Sequence, residues 1–184
     1  TVDSSNSLFG ASVSVSNNWV IIGAPNTEVR GIASAGRFYI MKLDSATYYR
    51  SFALQSPSAY DYFGASVAIA GENALVGIPF RDTNGKADTG AVLAFKLIND
   101  DWKGAGAISG NETGGNLGAS VSIGPDIIAV GMPGANNGSG KWIYSSSQSI
   151  FKVTNASGKI FLPFTANNLD AANVVITETP YPTA

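Results

Sequence analysis

The feature that most constrains this chain is that it repeats itself. Leu8-Phe9-Gly10-Ala11-Ser12-Val13 returns as Tyr62-Phe63-Gly64-Ala65-Ser66-Val67 and again as Asn116-Leu117-Gly118-Ala119-Ser120-Val121, with Phe9, Phe63 and Leu117 spaced 54 residues apart. A second match follows in register, as Ile22-Gly23-Ala24-Pro25, Val76-Gly77-Ile78-Pro79 and Val130-Gly131-Met132-Pro133. A third landmark is a glycine opening an apolar run, Gly36, Gly90 and Gly140, the last reached through a loop four residues shorter. A unit of this length that cannot cover both its faces alone must stack on copies of itself. The repeats run over about residues 8–55, 62–109 and 116–165 of a single domain, 1–184. Leu169 to Ile176 reads either as a worn fourth copy of the opening strand or as unrelated sequence. Residues 177–184 form a tail whose Pro180 and Pro182 exclude a central strand.

Each unit reads as four short strands. Ala11, Val13 and Val15 alternate with Ser12, Ser14 and Ser16, and the pattern returns as Ala65, Val67, Ile69 and Ala119, Val121, Ile123, the period of two expected of a strand. Small residues on the opposite face suit an innermost strand, where neighbouring sheets converge and space tapers. The second strands, Trp19 to Ile22, Ala74 to Val76 and Ile127 to Val130, are apolar on both faces and belong between sheets. The fourth, near Tyr48 to Leu54 and Trp102 to Ile108, mix Lys, Arg, Gly and Ser with apolar residues and read as outer edges facing water. The expected fold is all-β, a β-propeller-like array of four-stranded antiparallel blades, with three clear blades and at most part of a fourth. A linear β-solenoid is the rival, but its coils are usually shorter and lack a hairpin-rich unit.

Composition removes several function classes. With no His and no Cys, the chain cannot build a Ser-His-Asp triad, a Cys-His dyad, an imidazole or thiolate zinc site, or a disulfide framework. Eleven basic residues against thirteen acidic ones give a net charge of −2, and Lys and Arg are scattered singly, so no footprint for nucleic acid or an anionic membrane is present. No apolar run approaches a membrane span, and no basic-then-apolar leader precedes Thr1. The expectation is a secreted chain with its leader removed, extracellular or on a cell surface, without membrane insertion.

The repeated motifs resemble the FG-GAP repeat, named for a Phe-Gly near its start and a Gly-Ala-Pro at the end of its second strand. The correspondence is Phe9-Gly10 with Gly23-Ala24-Pro25, Phe63-Gly64 with Gly77-Ile78-Pro79, and Leu117-Gly118 with Gly131-Met132-Pro133, covering residues 8 to about 145. Family members include the heads of integrin α subunits, seven-bladed propellers of extracellular adhesion, and secreted or surface proteins of microbes and algae. The resemblance therefore implies a β-propeller blade and work in adhesion or surface assembly. Many integrin-type repeats carry a calcium loop between the first two strands, whereas here that connection is Asn17-Asn18, Gly71-Glu72-Asn73 or Gly124-Pro125-Asp126. Too few carboxylates remain for calcium's six to eight oxygen ligands, so the chain is similar to a shorter variant without the calcium loop.

Candidate sites are few. Asn111-Glu112-Thr113, Asn137-Gly138-Ser139 and Asn155-Ala156-Ser157 are glycosylation sequons in expected loops. Asp82, Asn84 and Asp88 offer oxygens either for a weak Ca²⁺ site or for a solvated turn with Asn84-Gly85 at its tip, the latter favoured because the matching loops lack the carboxylates. Asp61 and Glu72 read as surface charges. Tyr60, Asp61 and Tyr62 are the candidates for ligand contact on one face of the array, while most of Trp19, Trp102, Trp142, Tyr48 and Tyr49 read as packing residues. No catalytic residue and no cofactor are indicated. The expectation is a non-enzymatic adhesion or structural module that contacts copies of itself or other proteins through loops 26–35, 56–62, 80–89, 110–116 and 134–139 and through blade edges. The alternative is a carbohydrate-binding, lectin-like propeller closed by oligomerisation.

Overall fold

The computed structural model describes residues 6–44, 49–147 and 174–177. Alternating side chains and short polar turns give strands that pair in chain order, so each repeat folds as its own antiparallel meander. The first sheet holds β1 (Ser12–Ser16), β2 (Trp19–Ala24), β3 (Arg37–Lys42) and β4 (Tyr49–Leu54). The second holds β5 (Val67–Ala70), β6 (Asn73–Ile78), β7 (Ala91–Ile98) and β8 (Asp101–Ser109), and the third β9 (Ser120–Ile123), β10 (Ile127–Met132) and β11 (Lys141–Ser146). Register repeats with the sequence: Val13 lies opposite Ile22, Val67 opposite Val76 and Val121 opposite Val130. Strands of different repeats do not run on into one another as solenoid coils do, and among the described residues the fold is all-β with three antiparallel sheets. Among the described residues, no helix is long and apolar enough to cross a membrane.

Of the two readings of the C-terminal region, the structure favours the one without a fourth opening strand. β12 (Val174–Thr177) does not open a fourth sheet; it pairs antiparallel with β4, Val174 opposite Leu54, as a fifth strand of the first sheet. An edge strand carries a row of backbone donors and acceptors, and β12 satisfies that row on β4. Residues 148–165 of the third repeat and the tail 178–184 lie outside the described residues.

The sheets stack face to face, with two apolar layers between them. Trp19 and Ile21 of β2, Phe38 and Ile40 of β3 and Phe52 of β4 meet Val67, Ile69, Val76 and Phe95 of the second sheet. The rings of Phe38 and Phe52 stack at 4.6 Å, and Phe95 meets both edge-on. On its other flank the second sheet presents Leu75, Val92 and Ala94 to Leu117, Ile128 and Val130. β8 is an outer edge as its composition suggested, whereas β4 is covered by β12, and both strands bury large side chains. Phe52 and Trp102 are fully buried, with Trp102 edge-on to Trp19 at 5.6 Å. An outermost strand exposes its backbone edge while its side chains still project into the layers on either face.

The opening strands lie where neighbouring sheets converge, as expected, and their serines also join the sheets. Ser12 Oγ donates to the Gly64 carbonyl at 2.8 Å, and Ser66 Oγ donates to the Gly118 carbonyl at 2.7 Å. The Ile69 and Gly71 amides donate to Ser14 Oγ and Ser16 Oγ at 3.2 and 3.0 Å.

Beneath these bonds the backbones touch. A methyl group on Gly23 would overlap the Gly64 carbonyl oxygen, and one on Gly77 would overlap that of Gly118. Gly64 and Gly118 themselves adopt φ of +90° and +89°, a region that costs any residue with a Cβ. The two invariant-spaced glycines of the motif are thus the two sides of the sheet-to-sheet contact. Gly131 differs, because a methyl group there would meet only the movable Ser120 hydroxyl. Gly23→Ala and Gly77→Ala should each cost at least about 1–3 kcal/mol of stability by forced separation of the sheets, read as a lower urea midpoint with unchanged slope. Gly131→Ala should cost clearly less.

Candidate functional site

Along one side of the stack, the loops after the first two second strands are tied to the segments that enter the next repeat. The Tyr60 and Tyr62 amides donate to the Ala33 and Ser34 carbonyls, and the Gly114 and Asn116 amides donate to those of Ala87 and Asp88. Loops 26–35 and 56–62, and likewise 80–89 and 110–116, therefore share one surface. Within it, Ser58, Tyr60, Asp61, Tyr62, Phe80, Asp82 and Asp88 line an open pocket of about 300 Å³.

The two sets of residues singled out from sequence thus come together, except for Asn84. Asn84 stands at the tip of its turn with φ of +55°, outside the pocket lining, and the Asp88 amide donates to Asp82 Oδ1 at 2.9 Å as in a self-satisfied turn. Among the described residues, no three acidic side chains converge as a metal site would need. The pocket's walls are aromatic: Tyr62 lies 5.5 Å edge-on to Phe80 and 6.2 Å from the exposed ring of Tyr60. Tyr60 and Tyr62 hold positive φ, 65° and 52°. The arrangement offers flat apolar faces beside the Asp82 and Asp88 carboxylates, suited to stacking and hydrogen bonding.

Asp61 is not the surface charge its sequence context suggested. It is 1% exposed, and its Oδ2 accepts from Arg81 Nη1 at 2.7 Å and from the Ser58 amide at 2.6 Å. The pair staples the 58–62 turn to the loop after β6. Glu72, in contrast, is exposed as expected. Arg81 is the residue that sequence reasoning missed, although a signal was present in the aligned repeats. The columns of Asp61 and Arg81 read Ser7 with Thr27 in the first repeat and Gly115 with Ala135 in the third. All six positions are shielded or nearly so, so the columns change together from a hydroxyl pair to an ion pair to a small pair.

Burial raises the Asp61 carboxyl above its ordinary 3.8, outweighing the Ser58 and Arg81 hydrogen bonds and the Arg81 charge that pull it down. The unfolded chain therefore ionises first as pH rises. The carboxyl's contribution to stability is fully present below pH 3.8 and is lost as pH climbs through the raised folded value. Asp61→Asn cannot ionise, so its stability relative to wild type should improve as pH rises from below 3.8 to neutrality, measured by urea unfolding at a series of pH values. A relative stability moving the other way would mean that the Arg81 pair outweighs burial.

The sequons at Asn111 and Asn137 lie on exposed loop positions, and Asn155 lies outside the described residues. Glu112, inside the first sequon, takes hydrogen bonds from Lys141 and from the Asn136 amide, and the Lys141 bond chiefly holds its carboxyl below the usual range. That contact joins loops 110–116 and 134–139.

The two ends of the stack form a second candidate surface. Phe9 is 42% exposed, whereas its counterparts Phe63 and Leu117 are buried against the preceding sheet. Val13 and Val15 are exposed on the same flank, and at the other end Ile127, Trp142 and Tyr144 are exposed, Trp142 to 67%. Of the residues expected to be packing aromatics, Trp19 and Trp102 are buried and Trp142 is not; the side chains of Tyr48 and Tyr49 lie outside the description.

Residues 56–95, from the pocket turn through most of β7, match the family model of the FG-GAP repeat. The chain carries an FG-GAP repeat. The copies beginning near residues 8 and 116 align with it in register. Comparison with curated proteins finds no significant match.

Proposed function

We propose that this FG-GAP chain is an extracellular, non-enzymatic module of a β-propeller, working in adhesion or in assembly with copies of itself or other surface proteins. The observation that carries the reading is the pair of apolar sheet flanks, with Phe9, Val13 and Val15 exposed at one end and Ile127, Trp142 and Tyr144 at the other. Contiguous exposed apolar surface of this kind marks an interaction site. FG-GAP repeats are typical of extracellular proteins, and exposed sequons at Asn111 and Asn137 agree with a secreted chain. Protein partners rather than nucleic acid fit the net charge of −2. The reading assigns no chemical step: the chain lacks His and Cys, and buried Asp61 is tied to Arg81.

A second reading is favoured by the pocket alone. Tyr60, Tyr62 and Phe80 beside Asp82 and Asp88 offer stacking faces and acceptors of the kind that hold a sugar ring, which would make the module a lectin-like propeller. Sedimentation of the chain secreted from a eukaryotic host, together with glycan-array binding, separates the two. The adhesion and assembly reading expects species larger than a monomer at micromolar concentration, glycan on Asn111 or Asn137, and no sugar binding. Sugar binding that is lost at least about tenfold in Tyr60→Ala would establish the lectin reading instead. A bare monomer that binds neither protein nor sugar would contradict both.

A further inference from the structure

The two ends of the stack are the two halves of one interface, and we propose that a second copy of this chain completes it, the third sheet of each copy packing head to tail on the first sheet of the other. The inference rests on the assembly reading and names the partner and the register. Inside the chain the same contact occurs twice. Ser12 and Gly23 sit against the carbonyl of Gly64, and Ser66 and Gly77 sit against that of Gly118. The third sheet presents the next donor half, Ser120 beside Gly131, and a methyl group on Gly131 would meet no carbonyl of a following sheet. The first sheet presents the acceptor half. Gly10 holds the same φ as Gly64 and Gly118, +91°, yet has open space where they meet a neighbour.

A second bond joins the first sheet to the second but not the second to the third, where Ala68 replaces the serine, and the two end flanks again hold its two halves. Ile69 donates its amide to Ser14 Oγ, and in the next register Val15 stands in the column of Ile69 and Ser122 in that of Ser14. The apolar layer follows. Trp142 and Tyr144 occupy the columns of Phe38 and Ile40, which are buried against the second sheet. The end flanks are thus continuous with an interface the molecule already uses, residue for residue. Joining unlike flanks is a heterologous contact, which closes into a ring when the rotation allows. Propellers hold about four to eight sheets; two copies of the three described sheets fall inside that range and three copies fall outside it.

The cysteine-free sequence makes disulfide trapping clean. The variant Val15→Cys with Ser122→Cys is oxidised at micromolar concentration, with Ser14→Cys and Ile69→Cys as the within-chain calibration and Ser14→Cys with Ser122→Cys as the mismatched control. Native mass spectrometry is run on wild type and on Gly131→Ala, with Val13→Asp as a second variant on the opposite flank should Gly131→Ala lose its fold by circular dichroism. The inference expects a species of twice the chain mass, efficient cross-linking between chains in the matched pair only, and association weakened at least about tenfold, 1.4 kcal/mol, by either variant. Dimers that neither cross-link in the matched pair nor respond to these variants would overturn the head-to-tail register and leave the assembly reading standing. A monomer throughout would overturn the second copy as partner and, without another protein bound, the assembly reading with it.

Discussion

The rest of the structure depends on one contact, a glycine of one sheet lying on a glycine of the next. At Gly23 with Gly64 and at Gly77 with Gly118, the backbones approach so closely that no side chain fits between them. Removing Cβ from both partners is the only way to bring two strands this near without splaying them. Once they are that close, the serine hydroxyl one strand over reaches the carbonyl that the glycine turn presents. This explains why the motif needs a Phe-Gly at its start and a Gly two residues before a Pro. The first glycine turns the backbone at positive φ, and the second makes room for the turn belonging to the following repeat.

From that pivot the layers follow. Side chains on either side of the contact interdigitate, Phe38, Phe52 and Phe95 in one layer and Leu75, Val92 and Ile128 in the other. The apolar residue before the first glycine plugs the seam, as Phe63 and Leu117 do. The loops along one side of the stack are drawn together because each entering segment bonds to the loop before it. The pocket of the second repeat forms where the small column pairs of its neighbours are replaced by Asp61 and Arg81 and where Tyr60, Tyr62 and Phe80 supply rings.

Much of this was legible in the sequence because repetition supplies its own alignment. Strand order, register and the burial of Ile21, Val76 and Val130 follow from the period of 54 and from alternation within each strand. Less legible was which side of an opening strand faces inward. Val13 and Val15 look like core by composition, but in the first sheet they lie on the open flank while Ser12 and Ser14 face the neighbour. Hydropathy identifies the apolar side of a strand and not whether a sheet stands beyond it. Burial of Phe52 was missed because Arg50 and Ser51 beside it suggested solvent, whereas Trp102 was read as a packing residue and is buried. The β12 pairing with β4 depends on contact between residues more than a hundred apart, which no local pattern encodes. Asp61 was misread because its partner lies 20 residues away, yet the correlated columns across repeats would have exposed it.

A crystal or cryo-electron microscopy structure of the chain at a concentration where it associates measures the central contact directly. If glycine on glycine sets how these sheets stack, Gly10 of one copy will lie over Gly131 of another, with Ser120 Oγ on the Gly10 carbonyl, in the geometry of Gly64 over Gly23. Gly10 and Gly131 both facing solvent in an assembly joined elsewhere would show that the contact organises the sheets of one chain and nothing beyond it.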